Sequence, residues 1–124
     1  MIEVVTNPNA AKPAGAYSPA LKFGGFVMVS GQGPLSPDGE ILSGTIEEET
    51  RKTLENVKVL LDAAGARLDQ VVKCNCYLAK IDDFAAFNGV YKEFFGDGPY
   101  PCRTTVEAGL LGIKVEIDAM AYVA

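Results

Sequence analysis

The clearest hydrophobic pattern in the chain is a helical one that begins at residue 46. Apolar side chains recur there at helical spacing, which predicts one apolar stripe formed by Ile46, Leu54, Val57, Leu60, Leu61 and Ala64. Thr45 and Glu48 have the spacing of a capping box, in which each side chain binds the other residue's backbone N–H. Gly65 supplies a C-terminal stop. The pattern therefore predicts a long helix between Thr45 and Gly65.

A second helical pattern begins near residue 81 and is rich in aromatic residues. Its apolar stripe consists of Phe84, Phe87, Val90, Tyr91 and Phe94. Asp82 is the predicted N-cap. Asn88 lies beside the stripe, where a polar amide needs hydrogen-bond partners. Gly89 costs helix stability in mid-helix, which suggests close packing at that position.

Short runs of β-branched and apolar residues predict strands around the two helices. They span residues 2–5, 21–23, 26–30, 71–79, 101–109 and 113–119. The last two are predicted to form a pair joined by a short turn at residues 110–112. Side chains alternate along a strand, so four residues of the fourth strand are expected on one face: Val72, Cys74, Cys76 and Leu78.

The order of these elements predicts an α/β fold in one domain that covers residues 1–124. Both helices connect strands, so we expect them to pack on one face of a mixed β-sheet. The other face then has no helical cover. We expect that uncovered face to carry Val27, Val29, Val115 and Ile117, which would favour a homo-oligomer that buries them.

Net charge and the search for targeting or membrane segments restrict the partners and the location that we expect. The net charge is −5, the isoelectric point is about 4.6, and the sequence has no basic block. An acidic chain is poorly suited to phosphate backbones, so no nucleic-acid partner is expected. No signal-peptide pattern and no apolar run of membrane-spanning length is evident, so we expect a cytoplasmic protein that does not bind membranes.

The residue types that are missing restrict the chemistry. The chain has no histidine and three cysteines, so neither a Ser-His-Asp triad nor a Cys-His pair can form. The odd cysteine count predicts free thiols. A metal site built from Cys74, Cys76 and Cys102 is conceivable, but small buried side chains are the simpler interpretation.

Arg103 and Glu116 form the strongest chemical candidate. Arg103 opens one of the last two strands and offers a planar fork suited to a carboxylate. Glu116 stands between Val115 and Ile117, where a partly dry site would tune its basicity. Such a pair could hold an acid substrate and handle a water molecule. The alternative is that the two side chains simply pair with each other across a hairpin.

Two loops are further candidates. Tyr17 lies in a proline-interrupted segment, where it is either a ligand contact or an anchor onto the core. Gly31 and Gly33 follow the third strand in the sequence 30–34. Their lack of side chains would let a ligand approach the backbone closely, or they would only form a turn or bulge.

The motifs together resemble the Rid/YjgF family of small enamine/imine deaminases over essentially the whole chain. They are Gly15-Ala16-Tyr17, Ser30-Gly31-Gln32-Gly33-Pro34, Ala63-Ala64-Gly65, Val71-Val72-Lys73, Asp83-Phe84 with Asn88 and Tyr91, Pro101-Cys102-Arg103 and Val115-Glu116-Ile117. The resemblance implies a chorismate-mutase-like α/β fold, with two helices on one sheet face, and a homotrimer with ligand clefts between subunits. It also implies hydrolysis of 2-aminoacrylate and related imines to 2-keto acids and ammonia, without metal or organic cofactor.

The same resemblance implies roles for individual residues. Arg103 matches the arginine that binds the substrate carboxylate, and Glu116 matches the glutamate that positions water. The matches to cleft-lining residues are Tyr17, Ser30, Gly31 and Asn88. Thr105 stands where many members have a cysteine whose backbone helps to hold the substrate nitrogen, and Cys102 replaces a usual alanine. The turn at residues 110–112 is short and lacks the family's proline, which puts substrate preference in doubt.

Two other functions stay open at this point. One is a carboxylate-binding regulatory module that uses the arginine cleft without turnover. The other is an endoribonuclease, an activity attached to some relatives, against which the acidic composition and the missing histidine both count.

Overall fold

The computed structural model describes residues 1–123. Six strands and two helices make up the regular structure. The strands are β1 (Ile2–Val5), β2 (Ala20–Phe23), β3 (Phe26–Gln32), β4 (Val71–Leu78), β5 (Cys102–Glu107) and β6 (Val115–Tyr122). The helices are α1 (Ile46–Ala63) and α2 (Phe84–Phe95), with short 3-10 turns at Leu68–Gln70 and Ile81–Asp83. No helix within the described residues is long and apolar enough to cross a membrane.

All six strands form one mixed sheet in the order β1-β2-β3-β6-β4-β5. Only β4 and β5 run parallel, because α2 carries the chain back to the start of the next strand. The predicted hairpin of the last two strands is wrong, since β4 lies between β5 and β6 and pairs with both. The strand pattern marks apolar segments, but it does not say which strands become neighbours.

The two faces of the sheet differ sharply. The covered face packs against the helices and is buried: Val27, Val29, Cys74, Cys76, Leu78, Val115, Ile117, Ala119 and Ala121. The open face carries the alternate residues of β3, β4 and β6: Phe26, Met28, Lys73, Asn75, Tyr77, Glu116, Asp118, Met120 and Tyr122. The prediction that Val27, Val29, Val115 and Ile117 lie uncovered is therefore wrong. Alternation shows which residues share a face but not which face meets the helices.

Helix α1 begins and ends as its sequence predicts. The Thr45 side chain accepts a hydrogen bond from the Glu48 N–H at 3.1 Å, and Glu48 Oε1 accepts one from the Thr45 N–H at 2.9 Å. Gly65 follows the C-cap with a φ of +81°, a conformation that favours glycine. The capping box is confirmed, and loss of such a cap costs about 1 kcal/mol.

Two local predictions for α2 are wrong. Asp82 lies inside the 3-10 turn, and the N-cap position is taken by Asp83, whose side chain makes no capping hydrogen bond. The first N–H of the 3-10 turn, that of Ile81, donates to Glu107 Oε1 at 2.8 Å. Gly89 is exposed, and a Cβ there would meet no described atom within 4 Å. The glycine therefore reflects no close packing within residues 1–123 of one chain.

Strand β4 departs from strict alternation at its start. Its pairing with β6 shifts register between Val71 and Lys73, so Val71 is buried while Val72 is exposed. Cys74, Cys76 and Leu78 share the covered face as predicted, and only Val72 leaves that set. A bulge adds one residue to a strand and reverses the side-chain phase on one side of it.

Candidate functional site

The sheet register places Arg103 and Glu116 on opposite faces of one chain. Arg103 is the partner of buried Cys74 in the parallel pair of β4 and β5, so it points to the covered face. Glu116 is the partner of Tyr77 on the open face. One strand separates β5 from β6, so their backbones lie about 10 Å apart. A single chain therefore presents two half-sites rather than one joint site.

Helix α2 builds the surroundings of Arg103. Its Nη1 donates a hydrogen bond to Asn88 Oδ1 at 2.7 Å. The guanidinium carbon lies 5.4 Å from the centre of the Phe84 ring, 5.6 Å from that of Phe87 and 4.7 Å from that of Tyr91. These rings attract the cation through their π faces, and they also fix its position. The partner that Asn88 requires is thus Arg103.

Arg103 has no carboxylate partner among residues 1–123. The alternative that it pairs with Glu116 across a hairpin is therefore wrong. The arginine is half-buried and borders a cavity of about 290 Å³, the Arg103 cavity, whose lining consists of Asn88, Tyr91, Lys92, Tyr100, Pro101 and Arg103. A guanidinium without a counterion in such a cavity is suited to an anionic ligand.

The second half-site is a larger concavity of about 740 Å³ around Glu116 on the open face. This Glu116 cavity is lined by Tyr17, Ser18, Ala20, Leu21, Met28, Val29, Ser30, Gly31, Lys73, Asn75, Glu116, Asp118, Ala119 and Met120. A Cβ on Gly31 would lie 2.6 Å from Glu116 Oε2. A side chain at position 31 would therefore displace the carboxylate, which packs on the Gly31 backbone next to a register shift between Val29 and Gln32.

Burial raises the pKa of Glu116 above the ordinary glutamate value, and the neighbouring charge of Asp118 raises it further. Asp118 is held on the same strand face by two donors: Asn75 Nδ2 at 3.0 Å and the Tyr77 hydroxyl at 3.2 Å. A raised pKa makes the ionised carboxylate a stronger base than an ordinary glutamate.

The loop that carries Tyr17 is tied to the end of β3. Ser30 Oγ donates to the Ser18 carbonyl at 2.6 Å, and the Ser30 N–H donates to the Pro19 carbonyl at 2.9 Å. The Tyr17 hydroxyl accepts a hydrogen bond from the Ala14 N–H at 3.2 Å, and its ring is half exposed. Tyr17 is therefore no core anchor, and its ring borders the Glu116 cavity.

Thr105 joins neither cavity lining. It is the register partner of Cys76 on the covered face, and its buried hydroxyl has no hydrogen-bond partner among the described residues. Burial raises the pKa of the Cys74 thiol to about 11 and that of Cys76 to about 12, so both stay protonated. Cys102 is exposed and alternates with Arg103, so the three cysteines do not converge.

Several lining residues were not singled out from the sequence. Lys92 and Tyr100 border the Arg103 cavity, while Asn75 and Asp118 border the Glu116 cavity. For two of these residues, the spacing in the sequence could have predicted their position. Asp118 follows Glu116 by two residues on a strand, and Lys92 follows Asn88 by four residues on a helix.

Comparison with known proteins identifies the family. Residues 7–123 match the family model described as Endoribonuclease L-PSP. A RutC family protein of Pyrococcus horikoshii is 46% identical over 98% of both chains. A 2-iminobutanoate/2-iminopropanoate deaminase of Dermatophagoides farinae is 36% identical over 97% of this chain and 95% of its own. The crystal structure of YyfA from Yersinia pestis, described as a Rid family protein of unknown function, has a TM-score of 0.94 and 35% identity, over 99% of this chain and 100% of its own.

The chain therefore belongs to the Rid/YjgF family, as its motifs indicated. Its mixed six-stranded sheet with two helices on one face is the fold of its relatives, which confirms the predicted fold class.

Proposed function

We propose that the protein hydrolyses 2-imino acids, and their enamine tautomers such as 2-aminoacrylate, to 2-keto acids and ammonia. Arg103 carries this proposal. It is a half-buried guanidinium without a carboxylate partner in the described chain, and Asn88 and three aromatic rings fix its position. A relative with the name of a 2-imino acid deaminase supports the same substrate class.

The reaction needs alignment of water rather than a protein nucleophile. Arg103 binds the substrate carboxylate, and Glu116 orients water at the imine carbon. An enamine first becomes the imine by moving a proton from its nitrogen to its terminal carbon. Water then adds across the C=N bond, with one proton passing through Glu116 to nitrogen. The remaining hydroxyl proton then follows the same route, the C–N bond breaks, and the products are the 2-keto acid and ammonia. General acid–base help of this kind contributes about 10²–10⁴-fold.

We propose that the two half-sites meet between subunits of a homotrimer. Arg103 of one chain and Glu116 of the same chain lie on opposite sheet faces, so a neighbouring copy must complete each site. The open face exposes large apolar side chains, including Phe26, Met28 and Tyr122, which a neighbour would cover. Light scattering should give about three times the 13.2 kDa chain mass.

Mixing inactive variants tests the shared site. Arg103→Ala and Glu116→Ala chains are each expected to be inactive alone. Coexpressed in equal amounts, they restore an intact Arg103–Glu116 pair in about one site in four if the residues come from different chains. The control mixture, Arg103→Ala with Asn88→Ala, damages the same half-site and should regain much less. Activity that stays absent in the first mixture contradicts the shared site.

An assay with imines generated in place tests the activity itself. A dehydratase acting on serine releases 2-aminoacrylate, and its decay to pyruvate and ammonia is followed with and without the protein. Catalytic amounts should accelerate ammonia release, and Glu116→Gln should not. If pyruvate binds but no variant or wild-type protein accelerates the decay, the protein is a carboxylate-binding module instead.

RNA cleavage is the rival that the family description raises. We propose that it is not the main activity, because the chain has net charge −5 and no histidine for acid–base chemistry on a phosphodiester. Degradation of RNA by sub-stoichiometric protein, abolished by Arg103→Ala, would contradict this.

A further inference from the structure

A second cation shares the cavity of Arg103. Lys92 follows Asn88 by four residues on α2, so the two side chains lie one turn apart on the same helix side. The cavity is also bordered by the hydroxyl-bearing side chains of Tyr91 and Tyr100. The Tyr100 hydroxyl donates to the Gly96 carbonyl at 3.0 Å, so the charged groups of the Arg103 cavity are the two cations.

No residue that one chain contributes to the described lining of this cavity carries a negative charge. Lys92 is exposed and makes no ion pair within residues 1–123, so its ammonium group can bind an anion. Two cations at one cavity concentrate anions at its mouth, although the chain as a whole has a net charge of −5. One monocarboxylate would neutralise Arg103 and leave Lys92 without a counterion.

We propose that the Arg103 cavity selects 2-imino acids that carry a second carboxylate, with Lys92 as the specificity-determining residue. This rests on the proposed deaminase function and narrows its substrate class. Arg103 and Asn88 hold the carboxylate beside the imine carbon, while Lys92 binds the distal carboxylate at the exposed rim. The cavity volume of about 290 Å³ is at the lower end for ligand pockets and fits a small dicarboxylic acid.

Two imines that differ mainly in the distal group test the selection. Amino acid oxidases generate 2-iminoglutarate from glutamate and 2-iminobutanoate from 2-aminobutanoate. In wild-type protein the kcat/KM for 2-iminoglutarate should exceed that for 2-iminobutanoate. In Lys92→Met this ratio should fall about tenfold, the effect of one charge-assisted hydrogen bond. Lys92→Arg keeps the charge and should keep most of the ratio.

Lys80→Met is the matched control. Lys80 is an exposed lysine just before the 3-10 turn that leads into α2, and it borders neither cavity. The variant removes the same net charge, so a ratio that falls equally in Lys80→Met shows general electrostatics and overturns the assignment of Lys92. A ratio that Lys92→Met does not change overturns it as well.

Calorimetric binding of the keto acids separates this inference from the deaminase function. Tighter binding of 2-oxoglutarate than of 2-oxobutanoate, lost in Lys92→Met, supports the two-cation site even if neither imine is hydrolysed. Hydrolysis of both imines with equal kcat/KM, and equal binding of both keto acids, sustains the deaminase and overturns the selection. Failure of both measurements overturns both.

Discussion

The covered and open faces of the sheet differ in the side chains that they carry. The covered face is nearly all apolar and buried against α1 and α2. The open face instead alternates polar and apolar groups, so that Glu116 and Asp118 lie near Met28 and Met120. Adjacent residues of one strand, such as Val115 and Glu116, thus serve different purposes. Because side chains alternate along a strand, Glu116 lies on the open face while Val115 stays in the core.

Arg103 is the exception, because it is a charged residue on the covered face. It lies on β5, an edge strand, where α2 leaves room for a cavity. Three aromatic rings and Asn88 replace part of the lost hydration. Each face therefore holds one residue of the proposed chemistry, and substitutions of Arg103 and Glu116 test that division.

The largest effect is expected for Glu116→Gln. The variant keeps the size of the side chain but cannot accept a proton, so kcat should fall about 10²–10⁴-fold. Pyruvate binding, which we assign to Arg103 of the neighbouring subunit, should stay nearly intact. Steady-state kinetics and calorimetry measure both quantities, with exposed Glu47→Gln as control. Loss of pyruvate binding together with kcat would show that Glu116 is a structural element instead.

Arg103→Lys is expected to lower kcat/KM about 10²-fold although the charge is kept. An ammonium group is a point donor that cannot reproduce the bidentate fork, and a misplaced substrate reacts poorly. The Asn88 contact at 2.7 Å and the ring stacking also depend on the guanidinium shape. KM should rise and kcat should fall, and pyruvate binding should weaken. Full deaminase activity in this variant contradicts the assigned role.

The sequence predicts the elements of this fold better than their arrangement. Capping chemistry at Thr45 and Glu48 is local, so the start of α1 follows from the sequence alone. Strand partners depend on contacts between distant segments, so the insertion of β4 between β5 and β6 does not. The family motifs named Arg103 and Glu116, and only the register shows that they point to opposite faces.

Substitutions at two neighbouring residues of β3 allow the two faces to be compared directly. Val27 is fully buried, and Val27→Ala removes two methyl groups and leaves a void, so the free energy of unfolding should fall by about 2 kcal/mol. Met28 is 44% exposed on the open face, so Met28→Lys should spare the subunit core but reduce the mass seen by light scattering. Urea denaturation and light scattering on both variants check this. An unchanged mass for Met28→Lys would show that the open face is not the subunit interface.

The smallest effect concerns the proton balance of Glu116. Its pKa is raised first by burial and second by the charge of Asp118. Because the ionised form of Glu116 is the base, kcat should begin to fall at a higher pH than an ordinary glutamate would give. Asp118→Asn removes the second cause and keeps the first. The acid limb of the kcat–pH profile should therefore move to lower pH, yet remain above the position for an exposed glutamate.

The same shift has a consequence for stability with a fixed sign. A carboxyl group whose pKa is raised on folding stabilises the fold at pH below its unfolded pKa, and this contribution is lost as the pH rises through the raised value. Asp118→Asn should reduce that loss. The difference in unfolding free energy between variant and wild type should therefore be more favourable to the variant at neutral pH than at acid pH. Asp38→Asn, at an exposed turn, is the control. An acid limb that stays in place in Asp118→Asn, or that moves equally in Asp38→Asn, would mean that Asp118 does not tune Glu116.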